Sequence, residues 1–151
     1  MDVYMTMIHI DLFVNSMDNM LDFYVNGLGM EIVDDTVIKG DIVRYVSNNQ
    51  YDAYRVVLLQ LTKYGTMIEL IEYIGDKNPG DMRVSPTTIT FLVLSLESKM
   101  KQLADENIFP SSSIFKVDFP NKGKSTLVFY EDPEKNCIEF LQMDYDGVGN
   151  N

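Results

Sequence analysis

The sequence predicts an α+β fold, two tandem βαβββ modules forming a curved mixed sheet around a central cleft. Three observations predict it. The chain twice reads as a strand, a helix and then further strands, first from "MIHIDLFVNSMDNMLDFYVNGLGM" and again from "TTITFLVLSLESKMKQLADENIF". Each repeat closes on a strand with a glutamate inside an apolar run, "TMIELIEY" and "NCIEFLQM". A stretch punctuated by Gly75, Pro79, Gly80 and Pro86 separates the two.

The elements follow in order. In the first repeat Ser16 is placed to cap a helix, and Met17, Met20, Leu21, Tyr24 and Leu28 recur at helical spacing. Gly27 and Gly29 stand at the expected stop. Strand-like runs follow: "MEIVDD", "DIVRYVSN", "AYRVVLLQLT" and "TMIELIEYI", punctuated by "NNQYD" and "KYG". In the second repeat Ser95 is the cap, and Leu96, Met100, Leu103 and Ala104 form the apolar stripe. The runs "SSIFKVDF", "KSTLVFYED" and "NCIEFLQM" come next, separated by "FPNKGK" and "EDPEKN". Superposing the repeats sets His9 against Thr88, Val14 against Val93, Ser16 against Ser95 and Leu21 against Met100. The expected organisation is one domain over 1–147, with module 1 at 5–75, a linker at 75–86, module 2 at 87–143, and a polar, Gly-rich tail at 144–151.

A chain of 151 residues, 46% hydrophobic and 23% charged, is enough for one sizeable core. The net charge of −11 argues against binding to nucleic acid or to an anionic membrane. No apolar run approaches the roughly 20 residues of a membrane span, and the start carries no secretory pattern. One cysteine, Cys137, excludes an internal disulfide and fits a reducing compartment. The expected location is cytoplasmic.

The two glutamates carry the chemistry. Strand alternation puts Met67, Glu69, Ile71 and Tyr73 on one face, with Ile68 and Leu70 behind. It likewise groups Cys137, Glu139 and Leu141, with Ile138 and Phe140 behind. A buried carboxylate costs several kcal/mol, on the order of 3–5 when its partner is missing, unless paired, hydrogen-bonded, protonated or bound to a metal. His9, the single histidine, lies on the first strand of module 1, and Thr88 holds the matching place in module 2. Imidazole and carboxylates are ordinary ligands for zinc, iron, nickel or manganese. Asp11 shares the face of His9 and either orients it, binds substrate, adds a carboxylate or is a hydrogen-bonded strand-end residue. Thr90 shares the face of Thr88 and either lines the cleft or is a β-branched strand residue. Arg44 and Arg55, read as lying on hairpin strands, suit an anionic substrate group or surface salt bridges. "GKS" at Gly123–Ser125 lacks the P-loop's preceding glycine, since position 118 is Asp118, and a strand follows it rather than a helix. Cys137 has no histidine but His9 to activate it and reads as structural.

Three segments carry a family likeness: His9 on the first strand followed by a helix with Phe23–Tyr24 and then Leu28–Gly29–Met30; "MIEL"; and "FYEDPEKNCIEFLQ", similar to an Asp-Pro-x-x-Asn-x-Ile-Glu ending. With the second start at Thr88, the chain from Met7 to Met143 resembles the vicinal oxygen chelate superfamily. That superfamily includes glyoxalase I, bleomycin-resistance proteins, extradiol dioxygenases, fosfomycin-resistance enzymes and methylmalonyl-CoA epimerase. The resemblance implies a divalent ion held by the first and last strands of each module. His9, Glu69 and Glu139 fall on ligand positions, and the fourth is Thr88, a weak ligand. Either three side chains and waters hold the metal, or the site is repurposed.

Two functions follow from the resemblance. One is a glyoxalase-like metal-dependent lyase, isomerase or epimerase acting on a small carbonyl-containing molecule. In that case Zn, Ni, Fe or Mn binds substrate oxygens, Glu139 serves as catalytic base, and Thr88, Asp11 and Thr90 contact substrate. The alternative is a non-catalytic small-molecule binder of the bleomycin-resistance type. The open face of each module needs covering, by the other module of the same chain or by the opposite module of a second chain, and a homodimer is expected.

Overall fold

Alternating strands and turn chemistry lay out eight strands in the computed structural model, which describes residues 9–75, 88–119 and 123–144. The chain divides into two compact units, Met1–Ser85 and Pro86–Asn151. Each holds a four-stranded mixed sheet, and the α+β class with two βαβββ-like modules is observed. The expected linker beyond Gly75, the tail beyond Asp144, the middle of "FPNKGK" and the start of module 1 lie outside the described residues.

In the first unit β1 (His9–Phe13) runs parallel to β4 (Met67–Ile74). β3 (Ala53–Gln60) pairs antiparallel with both β4 and β2 (Glu31–Lys39), giving the order β1-β4-β3-β2. A parallel pair needs a crossover, and α1 (Met17–Leu21) begins it. Ser16 accepts the Asn19 N–H at 3.3 Å, as its cap position predicts. The helix runs on as a π-helical stretch, Asp22–Gly27, and ends before Gly29, whose φ of +81° suits glycine. Met17, Met20, Tyr24 and Leu28 are buried, as are Leu12, Val57, Leu59, Ile68 and Leu70 on one face of the sheet. Each such aliphatic side chain contributes roughly 1.5–3 kcal/mol when fully buried. A bulge at Val33 kinks the edge strand β2.

One element departs from the sequence reading. "DIVRYVSN" reads as a strand, but Asp41–Val46 form a helix, α2. Strand propensity of the branched residues is a weak force, and both ends are punctuated for a helix. Gly40 enters at φ +103°, and Asn48 and Asn49 leave at φ 54° and 63°. Arg44 bonds Asp41 one turn back and reaches Asp52 at 3.3 Å. Ser47 closes the loop by accepting the Tyr51 N–H at 3.0 Å. Packing fixes the choice, because Val43 is buried in a cluster with Tyr51, Tyr54, Ile71 and Tyr73 on the second face of the sheet. Arg44 therefore lies on a helix and not on a hairpin strand.

The second unit repeats the plan. β5 (Thr88–Leu92) runs parallel to β8 (Cys137–Asp144), followed by β7 (Gly123–Glu131) and β6 (Phe115–Phe119), both antiparallel, in the order β5-β8-β7-β6. α3 (Leu96–Asp105) crosses over, with Ser95 accepting the Ser98 N–H at 3.2 Å. Gly123–Ser125 opens a strand, as the absence of a P-loop requires. The duplication extends to single bonds. The Val14 N–H donates to the Ile71 carbonyl at 2.8 Å, and Val93 to Leu141 at 2.9 Å. The first amide of each crossover helix is taken by a last-strand side chain: Met17 by Glu72 at 2.7 Å, Leu96 by Gln142 at 2.8 Å. The Asp-Pro-x-x-Asn turn is held by buried Asp132, which accepts from the Glu134 and Asn136 amides at 2.9 Å and from the Asn136 side chain at 2.7 Å.

Candidate functional site

Parallel pairing of β1 with β4 sets Asp11 directly beside Glu69, and His9 beside Met67 one pleat earlier. All three polar side chains leave the sheet on the face opposite buried Leu12, Ile68 and Leu70. His9 Nε2 lies 3.1 Å from Asp11 Oδ1 and 3.4 Å from Glu69 Oε2. The three ligand atoms all fall within 4.8 Å of one another. Ligand atoms around one ion at about 2.1 Å are themselves roughly 3–4 Å apart, so the spacing suits a divalent cation. One imidazole nitrogen with two carboxylates is a hard donor set, matching zinc, manganese or iron better than copper(I).

Glu69 is the most enclosed of the three, its side chain 18% exposed against 37% for His9 and 43% for Asp11. Burial pushes the Glu69 carboxyl above its usual range, Asp11 adds to the rise, and His9 opposes it. The same two carboxylates reach Tyr54 on β3, whose phenol is raised first by burial and then by Glu69 and Asp11. Tyr54 belongs to an aromatic group further along this face. Tyr73 stacks on Tyr51 with centroids 4.7 Å apart and on Phe13 at 5.5 Å. Sequence reading missed this wall. The tyrosines alternate correctly for the Glu69 face, but its cover comes from α2, which reads as a strand.

In the second unit the register is the same, with Thr90 beside Glu139 and Thr88 beside Cys137. The Thr90 hydroxyl donates to Glu139 Oε1 at 3.0 Å. Thr88 is exposed at the start of β5, and Cys137 is a half-buried free thiol. Of the residues singled out from sequence, the structure groups His9, Asp11 and Glu69 in one unit, and Thr90 with Glu139 in the other. Arg55 is a salt-bridge partner: its Nε and Nη2 donate to the two oxygens of Asp35 at 3.0 and 2.8 Å. Arg44 is spent on Asp41 and Asp52.

No curated protein matches the chain. Among solved structures it is similar to a protein of the mobile metagenome of V. Pseudocholerae, with TM-score 0.65 and 18% identity over 96% of this chain and 99% of that one. A glyoxalase family protein of Bacillus cereus gives TM-score 0.70 and 14% identity over 94% and 96%. TnmS3, an antibiotic binding protein from Streptomyces sp. CB03234, gives 0.64 and 12% over 95% and 100%. At these identities the likeness is one of fold. Among the described residues no helix is long and apolar enough to cross a membrane. The family model described as Glyoxalase/Bleomycin resistance protein/Dioxygenase superfamily matches residues 6–140, and the chain belongs to that superfamily.

Proposed function

We propose that the chain is a glyoxalase-like, metal-dependent lyase, isomerase or epimerase acting on a small carbonyl-containing molecule. The single observation that carries this reading is the convergence of His9, Asp11 and Glu69. These residues would hold a divalent ion of the zinc, nickel, iron or manganese kind. Such an ion, when bound, polarises a substrate carbonyl oxygen. The chain's own residues supply the rest. Asp11 Oδ1 and Glu69 Oε2 lie 3.1 and 3.4 Å from His9 Nε2, so the three side chains are gathered for a shared ion. Glu139 remains the proposed base, with Thr88 and Thr90 as substrate contacts. Thr90 occupies one oxygen of Glu139, which leaves the other to take a proton.

The proposal extends to a single two-module domain over 1–147 and to a cytoplasmic homodimer, in keeping with the free thiol of Cys137. The test is calorimetric titration of metal-stripped protein with Zn²⁺, Ni²⁺ and Mn²⁺. One ion per chain, lost in His9→Ala, is expected, and no heat with any of the three overturns the metal assignment. Light scattering that gives a monomer at micromolar concentration refutes the dimer.

One observation favours a second reading, binding without chemistry. A structural neighbour of the same fold is an antibiotic binding protein. Tight binding of a small molecule to metal-free protein, with no turnover when metal is added, would select it.

A further inference from the structure

The strand charges sort by face. Among the described residues the strand cations are Lys39, Arg55, Lys116 and Lys124, and register puts all four on the faces that carry the crossover helices. Arg55 pairs with Glu72, which accepts the Met17 amide, and Lys39 follows in phase through Ala53 and Ile74. Lys116 and Lys124 share the face of Gln142, which accepts the Leu96 amide. The opposite faces, which bear Glu69 and Glu139, carry acids instead: Asp11 and Asp34 in the first unit, Glu131 in the second. The other described cations belong to helices and turns. Arg44 is engaged by Asp41 and Asp52, and Lys99 lies over the Phe140 ring on the helix side. Lys101 is exposed on α3, Lys63 lies over the exposed Tyr64 ring, and Lys135 sits in the turn before β8.

Beside each glutamate the sheet offers an apolar neighbour. Leu58 is the register partner of Glu69, and Phe129 that of Glu139, both half-buried. Val56 and Met67, also half-buried, extend the first surface. Phe115, 44% exposed with its ring 6.1 Å from that of Phe129, extends the second.

We infer that the substrate is an uncharged carbonyl compound with an apolar body, and not an oxo acid or a phosphorylated compound. The carbonyl rests on the metal-dependent reading of the same site; the charge selection rests on the faces. A divalent ion there is balanced by the Asp11 and Glu69 carboxylates, so the centre offers no surplus positive charge. Asp34 stands on the same face as the partner of Leu58. An acid group on the substrate would give up hydration with no strand lysine or arginine on that face to receive it, and would meet like charge. An alkyl or aryl group gains by covering Leu58 and Val56. Selectivity therefore comes from exclusion as well as attraction.

The test titrates full-length, methyl-labelled protein with acetophenone and with benzoate, which differ by a methyl group against a charged oxygen. Acetophenone is expected to shift the Leu58 and Val56 methyl resonances and to bind at least tenfold tighter than benzoate, in metal-free protein and in Zn²⁺. The Zn²⁺ arm is the stricter one, since the ion itself attracts a carboxylate. Asp34→Lys should tighten benzoate at least threefold and leave acetophenone within twofold. Asp22→Lys, the same charge change at an exposed site on the crossover helix, should leave both within twofold. Benzoate binding as tightly as acetophenone in either state overturns the inference. So do Leu58 and Val56 methyls that neither probe moves, or an equal gain of benzoate in Asp22→Lys. A preference for acetophenone in protein that takes up no ion keeps the charge selection and overturns the metal-dependent reading alone.

Discussion

Asp11 and Glu69 stand side by side on adjacent parallel strands, with the His9 imidazole within 3.4 Å of both. Two carboxylates so placed repel each other in the absence of a cation, and the enclosure of Glu69 adds a solvation cost. Glu69→Gln should therefore stabilise the metal-free protein at neutral pH. Like charges directly opposite in a sheet cost roughly 0.2–1 kcal/mol. That corresponds to a rise of about 1–4 °C in melting temperature for a chain of this size. Calorimetry without metal measures it, and a fall in melting temperature counts against the repulsion.

The same change should cancel stabilisation by metal. An ion at 100 times its dissociation constant stabilises the native state by about 2.7 kcal/mol, or roughly 5–10 °C. Wild type should show that rise in Zn²⁺, and His9→Ala, Asp11→Asn and Glu69→Gln should lose most of it. A full rise in Asp11→Asn would remove Asp11 from the ligand set.

Glu72 holds the first amide of α1 as Gln142 holds that of α3. Glu72→Ala leaves that N–H without its partner and should cost about 1–2 kcal/mol, the range of a lost helix cap. Glu72→Gln should recover most of it, since the amide oxygen does the same work in the second unit. Equilibrium urea unfolding separates the two variants, and equal losses in both would show that charge rather than the acceptor matters.

The Asp35–Arg55 pair gives stability a pH dependence. Arg55 holds the Asp35 carboxyl below its usual range, chiefly through hydrogen bonding. Its contribution is therefore present above the unfolded pKa and lost as pH falls through the folded value. An exposed pair contributes roughly 0.2–1 kcal/mol. Asp35→Asn should be less stable than wild type at pH 7, and the two should converge below about pH 3. Melting curves across pH 2–7 decide it, a constant gap being the contrary result.

Asp132 accepts three hydrogen bonds inside the turn before β8. Asp132→Ala removes the acceptor of these bonds and should cost on the order of 2–4 kcal/mol. The loss should appear as a lower urea midpoint with unchanged slope. A cost under 0.5 kcal/mol would mean that water replaces the carboxylate.

Much of the fold is written in local pattern. The duplicated Ser16 and Ser95 caps, the alternation that puts Glu69 and Glu139 on one face of their strands, and the Asp132–Asn136 turn all depend on residues near in sequence, so the sequence by itself determined them. The grouping of His9 with Glu69 was legible too, because it follows from the order of strands within one module. What only the tertiary structure decided depends on contacts between distant segments. Whether "DIVRYVSN" is helix or strand turned on Val43 finding a cover over Ile71 and Tyr73. Whether Asp11 is a strand-end residue or a partner of Glu69 turned on register, since shifting a parallel pair by one residue would send its side chain to the other face.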